Sequence, residues 1–271
     1  MPIRRVVLDA FGTVFSPREP VFRQYASVAR QYGLYLDEQR VKDGFKDSFK
    51  RYAKEYPLYG KLSQPPMKPE AWWRGVIQET FRNAGAAESD FDAVREDLST
   101  TLLHRFHGRS GYVLHSDVLP FLSSLAHLSQ PVPPPAIASN TDPSILLVLQ
   151  DLGVLADGGG PEGGIREEEV WTTWDVEEDK KSGRFWNAVL QRLREQRGGE
   201  GLMAEEVLVI GDEVDSDCHA PQSIGMRSLL LRRDPEEHPN PNYQGGQDDG
   251  VDVVRSFDEV VGWIERQNAV R

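Results

Sequence analysis

The stretch Val207-Leu208-Val209-Ile210-Gly211-Asp212-Glu213-Val214-Asp215-Ser216-Asp217 decides how the chain is read. Its first four residues are apolar without a break, which predicts a strand buried on both faces rather than a half-exposed one that would alternate with polar residues. Gly211 then hands the chain to a loop dense in carboxylates. The same pattern recurs outward in both directions. Val6-Val7-Leu8 is stopped by Asp9 and Gly12, Pro135-Ala136-Ile137-Ala138 runs into Ser139-Asn140-Thr141-Asp142, and Val170-Trp171-Thr172-Thr173 precedes an acidic run and Lys180. Residues 228–231 and 251–254 are further strand candidates. Helical patterns over 117–128, from 142 to about 152, over 185–196 and over 257–267 fall between or after these strands, with Ser116 or Asp117 placed to cap the first. Strands alternating with helices predict an α/β fold built on a parallel sheet with both faces covered.

From Pro17 to Gly111 the character changes. Val21, Tyr25, Val28 and Ala29 recur at helical spacing, as do Val41, Phe45, Phe49 and Tyr52; Trp72, Trp73, Val76, Ile77, Thr80 and Phe81 follow, then Phe91, Val94, Leu98, Leu102 and Leu103. No strand is expected in this stretch. The domain boundaries that follow are 1–16 with 113–271 for the sheet-bearing part and 17–112 for an inserted helical part. Residues 158–164, rich in glycine, and 234–249, rich in Pro, Asn, Gln and Gly, read as loops.

Composition narrows the function classes. The 271 residues carry 31 basic and 43 acidic side chains, a net charge of −12. That is a poor footprint for nucleic acid, which selects clustered Lys and Arg. Three apolar residues near the N-terminus are too few for a signal peptide, and no run approaches the roughly 20 residues that cross a bilayer. One cysteine, Cys218, permits no internal disulfide. A cytoplasmic or nucleocytoplasmic protein acting on a small molecule, with neither nucleic acid nor membrane as partner, is the expectation.

Ligands of open parallel sheets bind outside the carboxyl ends of the strands, so groups distant in sequence can converge there. Four such ends carry polar groups: Asp9-Ala10-Phe11-Gly12-Thr13, Ser139-Asn140, Lys180, and the 211–217 run. Singly, each is an ordinary turn, cap or surface group. Together and in this order they resemble the four motifs of the haloacid dehalogenase (HAD) superfamily, and the likeness spans nearly the whole chain. Asp9 falls at the nucleophile and Ser139 at the second-motif hydroxyl. Lys180-Lys181-Ser182-Gly183-Arg184-Phe185-Trp186 is similar to the third motif, and Asp212 with Asp217 to the fourth, followed by Pro221 and Gly225-Met226. Tyr56-Pro57-Leu58-Tyr59-Gly60, Trp72-Trp73 and Thr173-Trp174-Asp175-Val176 resemble the subgroup of HAD-like hydrolase domain-containing protein three and its fungal relatives.

The resemblance implies a Rossmann-like core with an inserted all-helical cap, and a hydrolase in which Asp9 attacks a small anionic substrate. It implies Mg²⁺ held by Asp9, Asp212 and Asp217, because a carboxylate attacking an anion needs its charge neutralised by a cation that favours hard oxygen ligands. Lys180 is then a second catalytic group, while Thr13, Ser139, Asn140, Phe11 and Gly12 line the substrate. Two departures stand out. Phosphatases of the superfamily carry a second aspartate two residues after the nucleophile; here Phe11 stands there and can carry no proton. Lys181 replaces the usual third-motif proline, and Glu177 stands where relatives often carry glycine. Phe11 instead resembles the 2-haloacid dehalogenases, which work without metal and use a cap arginine; Arg23, Arg40 and Lys46 match no such motif. Three readings therefore stand: a Mg²⁺-dependent, phosphatase-like hydrolase of weakened acid catalysis, a 2-haloacid dehalogenase-type hydrolase, and a HAD fold kept for binding or regulation. Trp72 and Trp73 are expected in the core of the helical part or where it meets the sheet-bearing part, and Cys218 is expected to be buried.

Overall fold

In the computed structural model, which describes residues 1–156, 163–196, 198–233 and 250–269, each apolar run becomes a strand. These are β1 (Arg5–Leu8), β2 (Phe15–Pro17), β3 (Tyr112–Leu114), β4 (Ala136–Ser139), β5 (Val170–Thr172), β6 (Val207–Gly211), β7 (Arg227–Leu231) and β8 (Val253–Val254). Six of them form one sheet in the order β5-β4-β1-β6-β7-β8, and its pairings are parallel. Every residue of β1, β4 and β6 is buried, as unbroken apolar strands require. The register sets Leu8 beside both Ile137 and Ile210, and Ser139 beside Thr172. Asp9, Asn140, Thr173 and Asp212, one residue past their strands, therefore leave the sheet along one edge. Residues 158–162 and 234–249, read from sequence as loops, lie outside the described residues.

The described residues fall into two compact units, one of Met1–Ser16, Val113–Asn140 and Leu152–Arg271, the other of Pro17–Tyr112 and Thr141–Asp151. The second unit is built on α1 (Val21–Gln31), α2 (Glu38–Glu55), α3 (Pro69–Asn83) and α4 (Glu88–Arg105). Tyr25, Val28, Val41, Ile77, Phe81, Phe91, Leu98 and Leu102 form its core, largely the positions the helical periodicity selects. Asp37 caps α2 by accepting from the Arg40 amide at 3.0 Å. Trp72 is 1% exposed and rings from Phe49, Tyr52 and Tyr59 surround it. Residues 141–151, expected with the sheet, group with this unit because Asp142 accepts the Trp73 indole N–H at 2.8 Å and Asp151 accepts the Arg109 amide at 2.6 Å.

The sheet-bearing unit adds α5 (Val118–Ser124), α7 (Thr173–Val176), α8 (Gly183–Glu195), α9 (Ala220–Gln222) and α10 (Phe257–Ala269), while α6 (Ile145–Asp151) belongs to the other unit. Val7, Val207, Val209, Trp171, Phe185, Trp186, Val189 and Leu193 pack one face of the sheet. Three sequence expectations need correction. The helix expected over 117–128 ends at Ser124 and tightens into a 3₁₀ turn at Leu125–His127. Asp117 stands at the helix start without capping it; its carboxylate is taken by the Arg233 guanidinium and the Phe257 amide, at 2.9 and 3.0 Å. Finally, β2 and β3 pair as a two-stranded sheet at the two ends of the inserted part, where no strand was read from sequence. Strands of three residues carry too little pattern to stand out in a sequence.

Candidate active site

Asp9 is the first residue beyond β1, and its amide still donates to the Ile210 carbonyl at 2.8 Å, so the sheet itself holds the start of the loop. Gly12 has a positive φ of 81°, and a Cβ there would run into the Asp212 carboxylate. A Cβ on Gly211 would similarly run into Asp217. These two glycines are therefore what lets carboxylates close in over the ends of β1 and β6. Beyond β6 the chain makes a π-helical turn, Val214–His219, a form that often marks functional positions. Asp217 lies inside it, 1% exposed, its Oδ2 accepting from the Glu213 amide at 2.9 Å.

Lys180 reaches the same place from the segment between α7 and α8. It is 1% exposed, and its ammonium donates to Asp9 Oδ1 and pairs with Asp217 Oδ1 at 2.8 Å. The Trp186 indole N–H fixes the approach by donating to the carbonyls of Lys180 and Ser216, at 2.9 and 3.1 Å. Asp9, Asp212 and Asp217 present oxygens within 4.8 Å of one another. Three carboxylates thus converge, and two of them, Asp9 and Asp217, pair with one lysine. Burial pushes Asp9 up to about 7, with Asp217 adding to the rise and Lys180 opposing it. Asp212 is raised well above its ordinary value by burial and then by the charges of Asp9 and Asp217. Burial alone would lower Lys180, but Asp217 and Asp9 outweigh it and hold the ammonium above its usual range, hence charged.

The donor set fits a hard divalent cation. All three groups are carboxylates, they converge closely enough to share one ion, and burial, with their mutual repulsion added, raises the proton affinity of Asp9 and Asp212. Two hydroxyls complete the picture. Thr13 Oγ1 and Ser139 Oγ are buried, at 0% and 1% exposure of their residues, and have no hydrogen-bond partner among the described residues. Leaving a buried polar group unsatisfied costs about 1–3 kcal/mol, so two such hydroxyls just past or at the ends of β1 and β4 suit an oxygen-rich ligand.

The other expected residues are placed differently. Asn140 Oδ1 accepts from the Thr173 hydroxyl at 3.1 Å, which ties the ends of β4 and β5. Phe11 packs edge-on against Phe15 at 4.8 Å between ring centroids. Of the basic residues considered in the helical unit, Arg23 pairs with Glu38 at the surface and Arg40 and Lys46 are exposed. Cys218 is buried. Glu177 takes a left-handed φ of 58° as it closes α7, which accounts for a position that favours glycine. Arg232 and Arg233, directly after β7, were not singled out from sequence. Arg232 donates to the Asp212 carbonyl and Arg233 to the Thr13 carbonyl, the latter at 3.0 Å. Their only sequence signal is their place at the end of a parallel strand.

Comparison with known proteins agrees with this architecture. Residues 179–259 match the family model described as HAD-hydrolase-like. Mouse (Mus musculus) haloacid dehalogenase-like hydrolase domain-containing protein 3 is 30% identical over 238 residues, which cover 85% of this chain and 82% of that protein. Among solved structures, a 2-haloacid dehalogenase from Pseudomonas syringae pv. Tomato DC3000 superposes with a TM-score of 0.59 at 17% identity, covering 97% of this chain and 99% of the other. A putative HAD-hydrolase from Bacillus subtilis bound to magnesium gives 0.60 at 14% identity, with the same two coverages of 97% and 99%. The two structures share the α/β fold. The chain belongs to the HAD-like hydrolase family. Among the described residues no helix is long and apolar enough to cross a membrane.

Proposed function

We propose that the protein is a Mg²⁺-dependent hydrolase of a small phosphorylated or related anionic metabolite, with Asp9 as nucleophile. The observation that carries this reading is the convergence of Asp9, Asp212 and Asp217 on one another, with Lys180 paired to Asp9 and Asp217. Bound at the three carboxylates, the cation supplies neutralising charge at the reacting centre. The chain's own groups do the rest. Lys180 favours the ionised form of Asp9 against the effect of burial and faces the transferred group. Thr13 and Ser139 donate to its oxygens. An Asp9 oxygen forms a bond to phosphorus as the bond to the leaving oxygen breaks; water then attacks the aspartyl phosphate, releasing phosphate and restoring Asp9.

Phe11 shapes what leaves. General acid–base catalysis contributes roughly 10²–10⁴-fold, about 3–5 kcal/mol of barrier, and Phe11 can provide none of it. Leaving groups that depart without a proton, such as the carboxylate of an acyl phosphate, are the ones this site suits. A panel of phosphate esters and acyl phosphates, run on wild type, Asp9→Asn and Phe11→Asp, tests the reading. Turnover lost in Asp9→Asn supports it, and a gain on esters in Phe11→Asp marks the remaining site as competent. Turnover unaffected by Asp9→Asn, together with no Mg²⁺ binding in calorimetry, removes it.

A second reading follows from Phe11 alone, a 2-haloacid dehalogenase-type hydrolase in which Asp9 displaces halide to form an ester. Halide release from 2-chloropropionate with and without chelator decides it: release that survives chelation supports it, and none in either condition eliminates it.

A further inference from the structure

Two consecutive arginines are buried beside the site, and neither touches the reacting groups through a catalytic motif. Arg232 is 8% exposed, and its backbone amide donates to the Val254 carbonyl at 2.9 Å, so β8 anchors the residue at the end of β7. Its guanidinium donates to the backbone carbonyl of Asp212. Arg233 turns the other way. Its side chain is 5% exposed, its Nη1 donates to Asp117 at 2.9 Å, and its Nη2 donates to the backbone carbonyl of Thr13 at 3.0 Å. The guanidinium lies over the Phe257 ring at 5.1 Å. One arginine therefore holds the backbone of a carboxylate residue of the acidic cluster, and the next holds the backbone of a residue whose buried hydroxyl has no hydrogen-bond partner among the described residues.

We infer that Arg232 and Arg233 are a pair of positioning residues with separate tasks: Arg232 sets the cation-binding geometry of Asp212, and Arg233 sets the anion-binding geometry of Thr13. The inference rests on the proposed reading of the site. Arginine suits both tasks because its planar fork offers several donors in fixed directions, which lets Arg233 serve Asp117 and Thr13 together. A lysine carries its donors on one nitrogen and cannot span both partners with the same geometry. Groups that orient metal ligands typically alter metal affinity about 10–100-fold when removed. A purely structural role would weaken both ligands alike.

The test is a double dissociation on the full chain. Mg²⁺ alone is titrated calorimetrically into wild type, Arg232→Met and Arg233→Met; inorganic phosphate is then titrated at saturating Mg²⁺. Arg232→Met is expected to weaken Mg²⁺ binding about 10-fold or more while leaving phosphate affinity unchanged. Arg233→Met is expected to weaken phosphate binding and leave Mg²⁺ affinity unchanged. Equal losses of both ligands in both variants, or no loss in either, overturn the inference. Asp212→Asn separates the two levels. If wild type binds no Mg²⁺, the reading of the site falls and this inference with it. If binding is lost in Asp212→Asn but intact in Arg232→Met, only the inference falls. Should a methionine variant fail to fold by near-ultraviolet circular dichroism, the lysine variant of that position replaces it, with the same selective loss expected at smaller size. A lysine variant that also fails to fold shows that the residue supports the fold, and overturns the inference.

Discussion

The two units of this protein treat charge in opposite ways. In the sheet-bearing unit Asp9, Lys180 and Asp217 are buried together at the strand ends. In the helical unit the buried polar groups are mostly neutral and satisfied close by: Thr80 donates to the Val76 carbonyl at 2.7 Å, and Gln24 to the Gly111 carbonyl at 3.0 Å. Its ion pairs lie at the surface, such as Arg74 with Glu70 at 3.0 Å and Arg95 with Asp92 at 3.2 Å. Surface pairs of that kind contribute about 0–1 kcal/mol, whereas burying an ion costs several kcal/mol that only close partners offset. The helical unit buries one carboxylate, Asp142, whereas the sheet-bearing unit gathers several buried charges around one lysine, and such clustering is what functional sites show.

The sharpest way to break that comparison is at Lys180. Lys180→Met leaves the carboxylates without their ammonium, and breaking a buried pair in this way costs about 3–5 kcal/mol. Urea denaturation of metal-free protein measures it against Lys181→Met, whose ammonium is exposed and pairs with Asp215 at 3.2 Å. Lys181→Met is expected to cost under about 1 kcal/mol; equal losses would erase the distinction between buried and surface charge. In the helical unit the largest effect belongs to packing. Trp72→Ala, which empties the ring cluster and frees the Tyr56 carbonyl, is expected to cost roughly 3 kcal/mol in the same assay. A loss below about 1 kcal/mol would mean that the cluster collapses around the vacancy.

A smaller effect is expected at Asp117. Partial burial raises this carboxyl, but the Arg233 and Phe257 donors outweigh it and hold it below its ordinary value. A depressed carboxylate stabilises the fold above its unfolded value and loses that contribution as pH falls through the folded one. Asp117→Asn is therefore expected to cost about 1–2 kcal/mol at pH 7, with the gap to wild type closing in acid below about pH 4. A gap of equal size at both pH values would point to shape rather than charge. The smallest change runs the other way. Glu177→Gly relieves a left-handed backbone at the end of α7 and is expected to stabilise by up to about 1 kcal/mol, seen as a rise of about 2 °C in melting temperature. A fall would show that the Glu177 side chain contributes more than its backbone costs.

Much of the site was legible because its signals are local. Asp9, Ser139 and Asp212 each stand at or next to the end of an apolar run, and a parallel sheet gathers such ends along one edge whatever the loops do. Lys180 had a weaker signal, since no strand ends at it; its place depends on Trp186 pinning the Lys180 and Ser216 carbonyls across a gap in sequence. Asp217 was readable as one acid of a motif, but its burial comes from a π-helical turn that no periodicity announces. Arg232 and Arg233 looked like ordinary charges after a strand. The three-residue strands β2 and β3 were too short to show an alternation, and residues 141–151 looked like part of the sheet's own alternation of strand and helix.

By itself the sequence determined the apolar strands, the helical insertion, the acids at the strand ends and the loss of a proton donor at Phe11. Those features depend on residue type and on spacings of a few positions, which act before any distant contact forms. Only the tertiary structure decided that three carboxylates would converge and two of them share one lysine, that Thr13 and Ser139 would be buried without hydrogen-bond partners among the described residues, and that two arginines would hold the backbones of Asp212 and Thr13. Such relations join residues from 20 to 220 positions apart, and the energies that select them arise only when the sheet register removes those groups from water together.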